Sequence, residues 1–393
     1  MAFPSAFAQP PHGSPAAVPH ATASPSLPVP VRAGRAAPIW LFALLTVMAF
    51  GLAAYLVTFL GVAASAIGMV LAVIPLAGVL LAVRLIDRWE PEPRGLVIAA
   101  VAWGAVGAVG LALLVDLALS PAMVVVDPAL GDAFSAVVQA PVVEEVAKGL
   151  GVLLLFVFGR RAFDGPVDGV VYGALVGAGF AFTENILYFA TSLIEGGVTE
   201  VTFTFVLRGV LSPFAHVMFT AVTGYALGRA ARSGASTSGA LGPWLLGMLG
   251  AAVLHAVWNG SAMFADFFAL YATLQVPLFL AFVGGVLMLR REEARLTRDR
   301  LGEYAAAGWF SGAEVEMLAT ARGRRHAMAW ARTLPGDRRP LMADFIHEAT
   351  ALAAARQRAL SGRDAAAAHD ERVFLTRTIG ARSALLSRDA APR

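Results

Sequence analysis

The chain has 393 residues, of which 58% are hydrophobic and 15% charged, and a mean hydropathy of +0.69. A soluble domain carries roughly a quarter of its residues as charges, and several apolar runs here exceed the roughly 20 residues that cross a bilayer. Composition therefore excludes an ordinary soluble enzyme and points to a polytopic membrane protein, while the absence of cysteine excludes disulfides, thiolate metal ligands and a cysteine nucleophile.

Residues 1–37 are rich in Pro, Ala and Ser, without periodicity, and read as a disordered arm. The arm is not expected to be a cleavable signal peptide, because the apolar run starts only near Ala37, after the arginines. Eight candidate spans follow at 38–60, 62–84, 95–117, 133–158, 166–193, 204–228, 242–264 and 268–289. Arginine marks alternate connections: Arg32 and Arg35, then Arg84, Arg88 and Arg94, then Arg160 and Arg161, then Arg229 and Arg232, then Arg290 and Arg291. The other connections hold Asp127 and Asp132, Glu195 and Glu200, and Asp266, with Arg208 as the exception near an outer border. Positive residues favour the cytoplasmic side, so the pattern predicts an all-α, polytopic bundle of about eight spans with both termini inside. The positive charge is accounted for by these borders and the tail, and no nucleic-acid partner is expected.

Residues 291–393 read as a soluble, helical cytoplasmic tail, which divides the chain into an arm (1–37), a membrane domain (38–290) and a tail. Ser311 and Glu314 have capping-box spacing, and Pro-Gly-Asp at 335–337 breaks the helix that follows. His326 and His347 read as surface residues, and the tail carries no catalytic motif.

The spans hold polar groups that hydrocarbon disfavours. The fourth has Glu144, Glu145 and Lys148, the only lysine in the chain; the fifth Glu184 and Asn185; the sixth His216; the seventh His255 and Asn259. Counted from the outer end of each span, at about 1.5 Å per residue, Glu144, Glu184, His216 and His255 all lie roughly 14–18 Å deep. Glu144 and Lys148 share a helix face by their i,i+4 spacing, as do His255 and Asn259. One charge at the bilayer centre costs roughly 2.5–3.5 kcal/mol even on the mildest scale. A single buried pair reads equally well as packing or helix glue. Two carboxylates, two histidines and an asparagine at one depth read as a working site.

Two histidines and a carboxylate can hold zinc with one position open for water, and a second carboxylate can act as base. Alternatively a glutamate in a dry pocket activates water directly, with His and Asn meeting the oxyanion. Both schemes hydrolyse a peptide bond within the membrane, and Lys148 would set the charge of the glutamate pair. No His-Glu-x-x-His helix and no paired intramembrane aspartates are present, and neither Ser212 nor Ser261 lies in a Gly-x-Ser-x-Gly turn.

The set EEVAK (144–148), FAFTEN (180–185), His216 and HAVWN (255–259), with DRWEPEP (87–93), resembles the PrsW family of intramembrane metalloproteases, related to the CAAX-processing membrane proteases. The resemblance covers about residues 38–290. It implies that Glu144 and Glu145 supply the base, with Lys148 and Asn259 beside them in catalysis. It also implies that Glu184, His216 and His255 hold a metal, zinc being the expected ion. The implied substrate is a membrane-anchored protein such as an anti-sigma factor, and the implied location a bacterial inner membrane. Two rivals differ in class. An ion-coupled transporter would use the same groups as a proton relay but would show inverted repeats, which are not evident here. A non-catalytic scaffold would be expected to have lost site residues. The sequence leaves the oligomeric state open.

Overall fold

The computed structural model describes residues 36–88, 91–123, 128–160, 162–264, 266–362 and 366–387. The arm read as disordered lies almost wholly outside them, as do Trp89 and Glu90 of DRWEPEP. The described residues are helical, with no strand among them. The elements are α1 (Ala36–Leu60), α2 (Val62–Ile86), α3 (Arg94–Ala102), α4 (Val109–Met123), α5 (Pro128–Phe134), α6 (Ala140–Phe158), α7 (Pro166–Thr204), α8 (Ala215–Arg232), α9 (Thr237–Phe264), α10 (Phe267–Leu270) and α11 (Val276–Ala306). Beyond them come α12 (Gly312–Ala319), α13 (Ala321–Thr333), α14 (Arg339–Ser361) and α15 (Ala367–Leu386). Wider π-helical turns join α3 to α4, α5 to α6 and α10 to α11, and prolong α7 to Leu211.

Six stretches among the described residues are long and apolar enough to cross a membrane, as a multi-pass membrane protein requires. The segment expected at 133–158 is not one of the six; it carries Glu144, Glu145 and Lys148. The segments expected at 166–193 and 204–228 fall within one continuous stretch, Pro166–Arg232. That stretch turns at Gly197, whose φ of +66° suits glycine. It breaks again at Ser212–Phe214, where Pro213 cannot donate the next helical bond. His216 consequently sits in the first turn of α8 rather than midway along a helix. The last membrane helix also differs from expectation. Arg-Arg-Glu-Glu-Ala-Arg-Leu continues α11 through residue 291 to Ala306, because no proline interrupts it and the helix runs through Gly302 before it ends ahead of Gly308, whose φ is +85°.

α7 is the central element, and glycines on two of its faces let neighbours reach its backbone. A Cβ on Gly169, Gly173 or Gly177 would stand 2.1–2.5 Å from backbone oxygens of Gly224, Thr220 and His216 on α8. A Cβ on Gly179 would stand 2.2 Å from the Val101 oxygen of α3. Small residues at four-residue spacing allow this approach in lipid, where no hydrophobic effect drives helices together.

At the arginine-rich end of the bundle the DRWEPEP segment folds inward. The Asp87 carboxylate accepts the Glu92 backbone N–H at 2.9 Å, and the Tyr172 hydroxyl donates to Glu92. Burial pushes the Glu92 carboxyl up to about 9, although the Tyr172 hydrogen bond pulls it down. Burial likewise raises Asp87 to about 6. Beneath them Phe156, Phe163 and Tyr172 are fully buried and pack ring to ring.

The helices after α11 have their own apolar core, built on Leu301, Tyr304, Leu318, Phe345 and Leu352. α12 begins at the expected capping box: Ser311 Oγ accepts the Glu314 N–H at 3.2 Å, and Glu314 accepts the Ser311 N–H at 2.8 Å. The Arg358 guanidinium of α14 reaches Asp164, in the α6–α7 connection, at 3.2 Å.

Candidate active site

α6 is fixed by two tryptophans. The indole of Trp103 donates to the Ala147 carbonyl at 3.0 Å and that of Trp244 to the Gly149 carbonyl at 2.8 Å. Both grip the turn that carries Lys148. The Lys148 side chain is fully buried, its ammonium 2.6 Å from Glu145 Oε1, 3.3 Å from Glu144 Oε2 and 3.1 Å from His216 Nδ1. It also lies 4.1 Å from the centre of the Phe180 ring.

The adjacent glutamates have different surroundings. Glu145 is wholly enclosed: it accepts from Lys148, from Thr220 Oγ1 at 3.2 Å and from His255 Nδ1 at 3.2 Å. Glu144 keeps 13% of its side chain exposed and lines a cavity of about 690 Å³ with Glu184, Arg208, His216, His255 and Asn259. The lining continues to Phe203, Met263 and Phe268, so the cavity runs toward the end of the bundle opposite the arginine-rich one.

His216 Nε2 lies 2.7 Å from Glu184 Oε2 and donates to it, which leaves Nδ1 as the acceptor of the Lys148 ammonium. His255, stacked on Phe219, donates from Nδ1 to Glu145 and keeps Nε2 as acceptor. Each imidazole is therefore oriented by a carboxylate behind it, but only His255 keeps a nitrogen free for a metal, since His216 Nδ1 is taken by the Lys148 ammonium.

Glu144, His216 and His255 can each bring one ligand atom within 4.8 Å of the other two. A carboxylate and two imidazoles are donor types that suit zinc, and His216 would join them once its Nδ1 gives up the Lys148 ammonium. The grouping differs from the expected Glu184–His216–His255 set. Glu184 is held instead by Arg208 Nη2 at 2.5 Å and by His216. Asn259 lines the cavity but donates from Nδ2 to the Ala136 carbonyl at 2.8 Å, tying α9 to the turn before α6. The structure thus brings Glu144, Glu145, Lys148, Glu184, His216 and His255 into one connected cluster, with Asn259 on the cavity wall.

Sequence reasoning missed two members. Arg208 donates from Nε to Asn185 at 2.9 Å and from Nη2 to Glu184, while stacking on Tyr188. It stood out only as the single arginine at an outer border. Thr220 lies four residues after His216, on the same helix face, and that spacing was its only signal.

The fold and the cluster define a multi-pass membrane protein with a carboxylate–histidine centre inside its helical bundle. Residues 92–284 match the model of the PrsW family intramembrane metalloproteases. The chain is 33% identical to Protease PrsW of Geobacillus kaustophilus over 144 residues, which are 37% of this chain and 58% of that protein. It is 35% identical to Protease PrsW of Bacillus subtilis over 100 residues, 25% of this chain and 42% of the relative. For Protease PrsW of Oceanobacillus iheyensis the figures are 36% over 92 residues, 23% and 39%. The chain thus spans about half the length of the curated relatives it matches. No solved structure matches it.

Proposed function

We propose that the chain is an intramembrane peptide hydrolase whose substrate is a membrane-anchored protein, such as an anti-sigma factor. We place it in a bacterial inner membrane with both termini cytoplasmic. The observation that carries this reading is the contrast between the two glutamates: Glu144 faces the cavity, while Glu145 is enclosed by a lysine, a threonine and a histidine. The family match and the relatives' names support the same reaction class.

In this reading Glu144 orients a water in the cavity and takes its proton as the water oxygen bonds to the scissile carbonyl carbon. The proton then passes to the leaving nitrogen as the C–N bond breaks. Asn259, through the second hydrogen of its Nδ2 amide, meets the oxygen that gains negative charge. Glu145 holds the His255 ring, Glu184 holds the His216 ring, and Lys148 balances the charge of the glutamate pair. Were zinc held by Glu144, His216 and His255, Glu144 would serve as ligand in place of base, and the ion would polarise a carbonyl and lower the pKa of water. The Lys148 ammonium would share that pocket as a second positive charge.

The test compares wild type, Glu144→Gln, Glu145→Gln and His255→Ala in nanodiscs, on a panel of single-span proteins that includes anti-sigma factors. Glu144→Gln should lower cleavage by about 10² to 10⁴-fold at unchanged thermal stability, the usual worth of a general base. About one zinc per chain should be present in wild type and lost in His255→Ala. Cleavage by a metal-free wild type would favour direct activation by Glu144, whereas full cleavage by Glu144→Gln would end this assignment.

A further inference from the structure

A second cavity, of about 630 Å³, lies between α8 and α11 at the arginine-rich end, away from the active site. Val170, Ala221 and Val286 pack together as its buried floor. Tyr225, Phe282 and Leu289 contribute its walls. The space beside Gly285 is open, since a Cβ there would meet nothing within 4 Å. The apolar lining runs along α11 from Phe282 to Leu289, and the charged rim continues to Arg295. At about 1.5 Å per residue the apolar part spans about 10 Å, which fits within one leaflet, roughly half of a 30 Å core.

The mouth of the groove is charged. Arg291 and Arg295 stand one turn apart at its rim, both exposed, and neither has an ion-pair partner among the described residues. Glu292, the only acid in the lining, is already engaged by Arg232 at 2.5 Å and lies 3.8 Å from Arg229. An apolar slot within one leaflet that ends in two guanidinium groups without ion-pair partners is complementary to an acyl chain joined to a phosphate.

We propose that this groove is a binding site for an anionic phospholipid, with one acyl chain against Val286 and Phe282 and the headgroup phosphate between Arg291 and Arg295. The inference depends on the chain lying in a membrane and not on its catalytic chemistry.

The test uses the full chain in nanodiscs of equal phosphatidylglycerol and phosphatidylcholine, extracted gently and weighed with its retained lipids by native mass spectrometry. Wild type should retain phosphatidylglycerol over phosphatidylcholine by roughly tenfold. The double variant Arg291→Gln/Arg295→Gln should bring that ratio to about one. Gly285→Trp should lose both lipids, and Gly285→Leu, a milder filling, should do the same if the tryptophan variant fails to fold. Equal retention in wild type, or an unchanged ratio in the arginine variant, would overturn the proposal. So would displacement by millimolar inorganic phosphate, which marks a simple anion site. A wild-type dimer that Gly285→Leu converts to monomer would assign the groove to a second copy instead.

Discussion

Arg208 shows how much of the candidate chemistry depends on residues that act through others. Its guanidinium is planar and forked, and it spends that geometry on Glu184 and Asn185 while resting on Tyr188. Glu184 in turn orients His216. Replacing Arg208 by Gln should therefore lower kcat by roughly 10- to 100-fold with KM nearly constant, the usual cost of removing a partner behind a ligand. Arg208→Lys should recover only part of the loss, because an ammonium cannot span two acceptors in that plane. A KM effect alone would assign Arg208 to substrate contact. Glu92 offers a different measurement, because its carboxyl is held protonated by burial up to about 9. Between pH 5 and pH 9 the folded protein keeps a proton that the unfolded chain releases, so stability from this group is full below pH 4.5 and is lost as pH rises. The melting temperature should fall across that window, and Glu92→Gln, which cannot release a proton, should flatten the slope. Equal slopes in the two proteins would show that Glu92 is ionised. At this scale the sequence was informative where chemistry is costly. Carboxylates, histidines and a lone lysine in hydrocarbon announce themselves, whereas Thr220 and Arg208 are ordinary at their positions and acquire meaning only from the neighbours the fold brings them.

At the scale of the element, α8 depends on glycine more than on its own polar residues. His216 can meet Glu184 only because Gly177 lets the α8 backbone approach; a Cβ there would lie 2.4 Å from the His216 oxygen. Gly177→Leu should push the first turn of α8 outward and abolish cleavage while the chain still inserts in the membrane, which glycosylation or protease mapping of the loops would report. Activity near wild type would show that the helices can separate without harm. The glycines at 169, 173 and 177 are plain in the sequence at four-residue spacing, yet their partners on α8 are not, since spacing on one helix does not name the helix that packs against it. The break before His216 was equally hidden. Ser-Pro-Phe reads as a tolerated proline within an apolar run, and only the structure shows that the helix restarts there. Where breakers and charge coincide, as between α2 and α3, sequence and structure agree closely on boundaries.

At the scale of the whole molecule, membrane and tail are joined by more than the continuity of the chain. α11 is uninterrupted from Val276 to Ala306, and Arg358 returns from α14 to Asp164 in the α6–α7 connection. The sequence separated the two at residue 291 because hydropathy changes there, but helical hydrogen bonding is indifferent to hydropathy. The absence of cysteine makes the second joint simple to test. Cysteines introduced together at Asp164 and Arg358 should be linked within one chain by a short bis-maleimide in intact membranes, and no link should form when either is present alone. Failure of the pair to link would mean that the tail does not rest on that connection.

The cavity that reaches Glu144 opens toward one end of the bundle, while the other end is stopped by the packed rings of Phe156, Phe163 and Tyr172 beneath Glu92. Water admitted to the buried cluster therefore enters a blind alley. Packed apolar rings on that side resist the entry of water, so ionisable groups could sit deep in a membrane while the barrier to protons stays on their far side.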